Sequence, residues 1–305
     1  MTLSVSIGSA TLRFPTFMPV TTFGGKFPLD EIVRPYLSRL FPATMVSYHY
    51  AQQMRKKPKG VLFIDSGGFA SLFEGSEAID RGEFVDIKTK EGDLISPPDV
   101  LAFQERWADI GATVDFIVPP NCPLDEAKRR QGNSITNAIW AIGRKRKSAF
   151  LLYASIQAWD RQSAKDSIEM LAGYPFDGFA LGGMVPRIQR PDEIIAIVDG
   201  IREVEKERPL HVFGIGSPKL ATRLFAAGVD STDSSSYVRA AADGKYLLTN
   251  ELEYALLTED LVTQCSCDVC RKHTAAYLGL ESETNRMALA LHNLSALNQC
   301  LNRRT

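Results

Sequence analysis

The sequence predicts an α/β protein built on a (β/α)₈ TIM barrel, with an inserted β-hairpin and a C-terminal structural zinc subdomain. Eight short β-rich runs recur along the 305 residues, and segments with helical periodicity separate most of them, as in a barrel. Three closely spaced cysteines, Cys265, Cys267 and Cys270, indicate a metal-binding subdomain. We expect residues 1–245 to form the barrel and residues 246–305 to form the zinc subdomain, with its last helix packed on the barrel.

The predicted strands are short and apolar, and each ends in small or polar residues. They comprise residues 18–23, 44–49, 61–66, 113–118, 151–156, 178–183, 211–216 and 229–234. The helical segments comprise residues 29–40, 98–110, 125–146, 164–171, 192–205 and 218–227. An open doubly wound sheet is the alternative, but no glycine-rich dinucleotide-binding motif follows the first strand.

The connection at residues 73–96 contains β-rich sequence of its own. Residues 84–88 and 93–96 flank Lys90-Glu91-Gly92, a pattern that is typical of a β-hairpin. We therefore expect a small hairpin inserted over the rim of the barrel.

The cysteine cluster predicts a structural zinc site. Five cysteines in all and no signal peptide indicate a reducing, cytoplasmic location, where clustered cysteines more often bind metal than form a redox device. His292 is the expected fourth ligand, because apolar residues recur at helical spacing over residues 284–301 and would hold it on a rigid helix. His273, three residues after Cys270, is the alternative. A closed Cys₃His site leaves no position for substrate.

The composition is that of an ordinary soluble protein, with 45% hydrophobic residues, 23% charged residues and a net charge of −1. No apolar run approaches the roughly 18 residues of a membrane span, so no membrane partner is expected. Basic residues cluster locally, and Lys56, Lys57, Arg129 and Arg130 are the candidates for nucleic-acid contacts. Each cluster taken alone is more typical of a solvated loop or helix end, but together they permit a local phosphate-binding face.

Two aspartates follow predicted strands, at the end of a barrel where catalytic residues collect. Asp65 follows the apolar run at residues 61–64, and Asp233 ends the eighth strand. Either one alone is more simply a capping carboxylate. Together at one rim, one carboxylate can attack a carbon that bears a leaving group while the other transfers protons.

Glycines and aromatic residues at the same strand ends predict a flat binding slot. Gly67-Gly68, Gly182-Gly183 and the turn at residues 214–216 allow backbone to approach a planar ligand. Phe69 and Phe213 stand on separate segments and could cover its two faces. A purine base fits such a slot.

These motifs occur in the order seen in tRNA-guanine transglycosylases, and the sequence resembles that family nearly from end to end. The ordered set is Pro15-Thr16-Phe17-Met18-Pro19-Val20, Ser47-Tyr48-His49, Asp65-Ser66-Gly67-Gly68-Phe69, Gln157, Ala180-Leu181-Gly182-Gly183-Met184, Phe213-Gly214-Ile215-Gly216-Ser217-Pro218, Asp233 and the cysteine cluster with its histidine. The resemblance implies a zinc-bearing TIM barrel that exchanges guanine in a polynucleotide for a free 7-deazaguanine base.

The resemblance also implies residue roles. Asp233 would attack C1′ of the target nucleotide to form a covalent glycosyl-enzyme, and Asp65 would be the acid/base. The residues expected to bind the base are Phe69, Phe213, Gln157, Gly182, Gly183, Asn121 and Ser66. Arg239 matches a position that contacts nucleic acid.

The sequence departs from the family pattern at two places. The additional aspartate that reads guanine after the fourth strand is replaced by Asn121 or Pro120, so base specificity is expected to differ, with a preQ0-like 7-deazaguanine as the incoming base. Ser234-Ser235-Ser236-Tyr237 stands where bacterial tRNA enzymes carry a basic stretch and is closer to the archaeal pattern, but the extra RNA-binding domains of the archaeal enzymes are not seen. These features favour the DNA-acting, DpdA-like branch over tRNA.

A non-catalytic subunit of a heteromeric transglycosylase is a further alternative. The presence of both Asp65 and Asp233 counts against it, because a silent subunit has no chemical need of them. A homodimer or a helper protein that opens a duplex is compatible with the pattern.

Overall fold

The computed structural model describes residues 4–7 and 10–301. Its strands are β1 Ser4–Ile7, β2 Ala10–Arg13, β3 Thr16–Pro19, β4 Ala43–Val46, β5 Val61–Ile64, β6 Glu77–Asp80, β7 Val85–Lys88, β8 Leu94–Ile95, β9 Ile110–Ala112, β10 Leu151–Ile156, β11 Gly178–Leu181, β12 Leu210–Val212, β13 Ser231–Ser234, β14 Lys245–Leu248 and β15 Glu253–Leu256. Its α-helices are α1 Pro28–Leu40, α2 Tyr48–Ala51, α3 Pro97–Trp107, α4 Leu124–Arg144, α5 Arg161–Leu171, α6 Pro191–Val204, α7 Pro218–Ala226, α8 Ser236–Ala242, α9 Glu259–Thr263, α10 Ala275–Leu278 and α11 Glu283–Leu301.

Eight parallel strands form the central sheet, in the order β3-β13-β12-β11-β10-β9-β5-β4. Its two edge strands also meet, since Val20 and Met45 form a parallel bridge and the Thr21 N–H donates to the Met45 carbonyl at 2.9 Å. A helix follows every one of these strands. The predicted (β/α)₈ barrel is therefore confirmed, and the carboxyl ends of all eight strands meet at one rim.

The prediction that residues 113–118 form the fourth strand is wrong. The strand is β9, and the preceding helix ends at Trp107 rather than at residue 110. The N–H groups of Phe116, Ile117 and Val118 donate to side-chain oxygens of Ser134, Ser71 and Gln157, at 2.9, 3.0 and 3.0 Å. These buried residues resemble a strand in composition, but side chains satisfy their backbone groups, so the segment forms a rim loop instead.

The helices begin where the sequence supplies start signals. Proline occupies the first turn of α1, α3, α6 and α7, where its missing N–H costs nothing. The start of α5 has a capping box, in which Asp160 accepts from the Ser163 N–H at 2.7 Å. Within residues 4–7 and 10–301, no helix combines the length and the apolarity that crossing a membrane requires.

The inserted hairpin is present as β7 and β8, and β6 adds a third antiparallel strand that was not predicted. Asn137 of α4 anchors this sheet, since its side chain accepts from the Val85 N–H at 2.7 Å and donates to the Val85 carbonyl at 2.9 Å. The strand β7 also contacts the short 3₁₀ helix at Gly68–Leu72 that follows Asp65. The insertion therefore supports a rim loop beside a candidate catalytic residue.

The C-terminal segment packs on the barrel through α11. This helix contacts α1, α7 and α8, and its apolar residues belong to the same hydrophobic core as the barrel helices. Asn293 of α11 accepts from the Leu247 N–H at 2.8 Å and donates to the Tyr237 and Lys245 carbonyls at 3.2 and 3.0 Å. One buried amide thus joins α11, β14 and the helix that follows the eighth barrel strand.

Candidate active site and metal centre

Asp65 stands at the rim directly after β5. Its Oδ1 accepts hydrogen bonds from the Tyr48 N–H at 2.8 Å and the Gly67 N–H at 2.9 Å. Gly67 has a φ of 75°, which lets the backbone turn back onto the carboxylate. Removal of water by the surrounding protein, with a smaller contribution from the nearby charge of Asp233, raises the pKa of Asp65 to about 6. Such a carboxyl group can donate and accept a proton near neutral pH.

Asp233 lies in β13 and is 5% exposed. Its Oδ1 accepts from the Gly214 N–H at 2.8 Å and lies 3.0 Å from Nε2 of His211. Gly214 adopts a φ of 77°, so the turn that follows β12 aims its N–H at the carboxylate. Both predicted catalytic residues therefore lie at the carboxyl-end rim, and the charge of Asp233 acts on Asp65.

A third aspartate, Asp115, was missed in the sequence and lies at the centre of the predicted base-binding residues. Its Oδ1 accepts from the Ser66 hydroxyl at 2.8 Å, and its Oδ2 accepts from Nε2 of Gln157 at 2.5 Å. Burial raises the pKa of Asp115 to about 6. The available signal was a carboxylate inside the apolar run at residues 114–118, where an unpaired charge would be costly.

Two predicted glycine doublets border this polar cluster. A Cβ on Gly68 would lie 2.0 Å from Oδ1 of Asp115, and a Cβ on Gly182 would lie 2.1 Å from Nε2 of Gln157. Any side chain at these positions would displace the polar groups. Ser66, Gln157 and both doublets therefore meet around Asp115.

The aromatic residues and Asn121 lie around the edge of the site. Phe213 packs on His211 with ring centroids 4.8 Å apart, while Phe69 is 53% exposed and contacts the edge of Phe73. Asn121 is exposed, with a φ of 63°, and lines a cavity of about 410 Å³ together with Trp159, Arg187 and Arg190. Among the described residues Asn121 has no hydrogen bond to Gln157 or Asp115, so the structure does not bring it into the polar cluster.

The predicted basic residues divide between the two ends of the barrel. Lys57 pairs with Asp109 at 2.6 Å, and Asp109 also accepts from the Leu62 N–H near the start of β5. Lys56, exposed in the same loop, therefore lies with Lys57 at the amino ends of the strands, away from Asp65 and Asp233. The structure therefore separates these two candidates for nucleic-acid contacts from the two aspartates.

The remaining basic candidates lie on the rim side. Arg129 and Arg130 both pair with Glu126 in the first turns of α4, at 2.7 and 2.6 Å. Arg130 also donates to the Ser71 and Ile117 carbonyls, at 3.2 and 2.9 Å, and so ties two rim loops together. Arg239 is exposed on α8, directly after the strand that carries Asp233.

The three cysteines and His292 converge as the sequence predicts. Their ligand atoms all lie within 4.8 Å of one another, and Nδ1 of His292 is 3.8, 3.4 and 3.3 Å from the sulfurs of Cys265, Cys267 and Cys270. A tetrahedral zinc ion with ordinary bond lengths would separate sulfur from nitrogen by about 3.6 Å. The four side chains therefore fit a metal ion. His273 instead stacks on Tyr277, with ring centroids 4.2 Å apart.

Neighbouring groups orient the histidine ligand. Nε2 of His292 lies 3.1 Å from the Leu247 carbonyl, so it carries the hydrogen and leaves Nδ1 available for a metal. Tyr246 stacks on the His292 ring at 3.6 Å, and its hydroxyl lies 3.3 Å from the Cys270 sulfur. The strand β14 thus fixes the position and the tautomer of a ligand that α11 carries.

Comparison with known proteins agrees with this geometry. A family model described as queuine tRNA-ribosyltransferase matches residues 2–304. Similar proteins include the tRNA-guanine(15) transglycosylases of Thermococcus onnurineus, 29% identical over 80% of this chain, and of Haloarcula marismortui, 28% identical over 96%. The enzyme of the same name from Methanocaldococcus jannaschii is 28% identical over 98% of this chain.

This chain spans 40%, 59% and 46% of the lengths of those three relatives. The family model, by contrast, covers nearly the whole chain, and the predicted resemblance to guanine transglycosylases is confirmed at the level of the superfamily. The chain belongs to the queuine tRNA-ribosyltransferase family.

Proposed function

We propose that this protein is a pentosyltransferase that replaces guanine in a polynucleotide by a 7-deazaguanine. The observation that carries the proposal is the pair of rim carboxylates, Asp65 and Asp233, beside the buried cluster of Asp115, Ser66 and Gln157. In this proposal one carboxylate attacks and the other transfers protons, and the cluster offers hydrogen bonds to the edge of a planar base.

The first chemical step forms a covalent intermediate. An oxygen of Asp233 attacks C1′ of the target nucleotide, so a C1′–O bond forms while the C1′–N9 bond breaks. The electron pair of the broken bond stays on the purine, and protonated Asp65 supplies the proton that neutralises it. A pKa of about 6 leaves part of the Asp65 population protonated near neutral pH.

The second step reverses these roles for the incoming base. Ionised Asp65 takes the proton from N9 of the 7-deazaguanine, and N9 attacks C1′. The C1′–O bond breaks, its electron pair returns to Asp233, and the polynucleotide leaves with the new base.

We further propose that Asp115, rather than Asn121, reads the base. Guanine and 7-deazaguanines present adjacent ring and amino N–H donors, and an ionised carboxylate can accept about four hydrogen bonds. Asp115 uses two of these for Ser66 and Gln157. This arrangement supplies the carboxylate that position 121 lacks, so guanine recognition is retained and a preQ0-like base remains a suitable incoming substrate.

Two polymers are candidates, for different reasons. The names of the similar proteins favour tRNA. DNA is the other candidate, because Ser234-Ser235-Ser236 lacks the basic character of the stretch that follows the nucleophile in bacterial tRNA enzymes. A base inside a duplex must be extruded at a cost of a few kcal/mol, so single-stranded or mismatched DNA should react faster than intact duplex.

Radiolabelled guanine tests both the chemistry and the polymer. The protein is incubated with the label and, separately, with tRNA, single-stranded DNA, mismatched duplex and intact duplex, and incorporation is measured. We expect one polymer class to gain label and the Asp233→Asn variant to give none. Labelling of tRNA without labelling of any DNA would refute the DNA assignment, and no label in any polymer would refute the proposed activity.

A further inference from the structure

Buried hydrogen bonds link three side chains, those of Ser231, His211 and the proposed nucleophile Asp233. His211 of β12 is 0% exposed, with Nδ1 at 2.9 Å from the Ser231 hydroxyl and Nε2 at 3.0 Å from Oδ1 of Asp233. Ser231 and Asp233 alternate along β13, so their side chains share one face, and His211 pairs with Ser231 in the sheet register. Neighbouring strands therefore place the imidazole between the two side chains.

With Asp233 ionised, as the attack on C1′ requires, and the imidazole neutral, donation runs in one direction along this chain of hydrogen bonds. An ionised carboxylate only accepts, so Nε2 of His211 must carry the hydrogen that is shared with Asp233. In the neutral ring Nδ1 is then an acceptor, and the Ser231 hydroxyl donates to it. Ser231 thereby stabilises the tautomer that donates to the nucleophile.

Packing alone does not account for a histidine at this position. The ring of Phe63 lies 5.0 Å from that of His211, within an apolar cluster that also contains Met18, Met45 and Tyr153. An apolar side chain would fill this space at lower cost, because polar groups in such surroundings must be hydrogen-bonded. The polar chain ends at the carboxylate, which points to a role in positioning it.

The two oxygens of Asp233 differ in their partners. Oδ1 accepts from both Gly214 and His211, whereas no hydrogen bond to Oδ2 occurs within the described residues. We propose that His211 is a positioning residue that holds Asp233 through Oδ1 and thereby assigns the attack on C1′ to Oδ2. This inference rests on the proposed function.

The same contacts serve both chemical steps. When the C1′–Oδ2 bond forms and the C1′–N9 bond breaks, Oδ1 becomes the carbonyl oxygen of the ester and keeps its two donors. When that bond breaks in the second step, its electron pair returns to the carboxylate, and Gly214 and His211 stabilise the negative charge as it develops. No proton leaves His211 in either step.

Two variants, His211→Gln and His211→Asn, distinguish a positioning role of His211 from a role in packing alone. In His211→Gln the amide nitrogen reaches the position of Nε2 and can still donate to Asp233. In His211→Asn the side chain is one bond shorter, so it can reach Ser231 but not the carboxylate. Tyr153→Phe is the control for this part of the barrel interior, since the buried Tyr153 hydroxyl has no hydrogen-bond partner within residues 4–7 and 10–301.

The measurements are kcat and KM for the incoming base, and the rates at which the denaturation-resistant adduct forms and breaks down. We expect His211→Asn to lower kcat by about 10²-fold, as for loss of one preorganised donor, with KM within about twofold of wild type. His211→Gln should recover at least about tenfold of this loss, and Tyr153→Phe should match wild type. Adduct breakdown should slow more than its formation in His211→Asn.

The outcomes separate this inference from the proposed function. Wild-type kcat in His211→Asn, equal losses in Asn and Gln variants, or a change confined to KM would overturn the role of His211. If wild-type protein forms no adduct with any polynucleotide, the proposed function itself fails.

Discussion

At the scale of single residues, the protein holds its rim carboxylates with different partners. Two backbone N–H groups bind Asp65, a backbone N–H and an imidazole bind Asp233, and a hydroxyl and an amide bind Asp115. Burial raises the pKa of Asp65 and of Asp115 to about 6. Different surroundings of identical side chains allow different roles in one reaction.

Substitution of the two catalytic candidates should have distinct effects. Asp233→Asn should abolish base exchange and eliminate the denaturation-resistant adduct, because a neutral amide cannot form the ester. Asp65→Asn should still permit attack but slow it by about 10²-fold or more, since proton transfer is lost. Gel analysis of denatured reaction mixtures measures the adduct, and wild-type adduct yield in Asp233→Asn would identify another nucleophile.

The raised pKa of Asp65 predicts a pH dependence with a defined sign. Asp65 must be protonated when guanine leaves, so the rate of adduct formation should fall as pH rises through about 6. Single-turnover rates between pH 5 and pH 8 check this. The Asp65→Asn variant should lack this fall, and an unchanged profile in that variant would assign the proton transfer to another group.

Burial of Asp115 should make the free energy of unfolding depend on pH. Its folded pKa of about 6 lies above the ordinary value of 3.8, so its contribution to stability is fully present below pH 3.8 and is lost as pH rises through about 6. The free energy of unfolding of wild type relative to Asp115→Asn should therefore decrease over this range, by up to about 3 kcal/mol. Urea unfolding of both proteins at pH 4.5 and pH 7.5 measures it, and parallel pH dependences would contradict the burial argument.

At the scale of secondary-structure elements, the positions of functional groups depend on where strands end. The strand β9 stops at Ala112, and the buried loop that follows carries Asp115 into the site. In the C-terminal segment, α11 supplies His292 while β14 supplies the carbonyl that orients it. Each site therefore needs two elements in a fixed relation.

We propose that the Cys₃His cluster binds one zinc ion per chain, which stabilises the fold without entering the reaction. Cys267→Ala should lower both zinc content and melting temperature, because a closed site contributes directly to folding. His292→Ala should do the same, whereas the matched control His273→Ala should keep full zinc occupancy. Elemental analysis and thermal unfolding check this, and the reverse result for the two histidines would contradict the ligand assignment.

At the scale of the whole molecule, the barrel separates the basic residues into two groups. Lys56 lies at the amino ends of the strands, and Arg239 lies on the helix that follows the nucleophile strand. A polynucleotide whose target C1′ reaches Asp233 must pass over the carboxyl-end rim. We therefore expect the rim group to contact its phosphates.

This separation predicts that Arg239→Ala and Lys56→Ala have unequal effects on polynucleotide binding. Arg239→Ala should weaken polynucleotide binding and reduce the slope of log affinity against log salt by about one, since one phosphate contact is lost. The control Lys56→Ala should leave both unchanged. Fluorescence anisotropy at several salt concentrations measures this, and an equal loss in the two variants would place the nucleic acid elsewhere on the barrel.

The sequence by itself determined the architecture, the cluster of metal-ligand residues and the position of two aspartates at the rim. Alternating strand and helix patterns specified the barrel, because each pattern is local and its period reflects which face is buried. The spacing of Cys265, Cys267 and Cys270 is also a local pattern, and together with His292 on a periodic helix it specified the metal cluster. Asp65 and Asp233 were found because each directly follows or ends a recognisable strand.

Only the tertiary structure decided which distant side chains meet. Asp115 and His211 lie inside apolar runs, and nothing in their local sequence shows that one binds Ser66 and Gln157 while the other binds Asp233. Likewise, the sequence does not show that Lys56 and Arg239 lie at opposite ends of the barrel. Such contacts depend on sheet register and strand order, which join residues that are far apart in the chain, so local patterns cannot encode them.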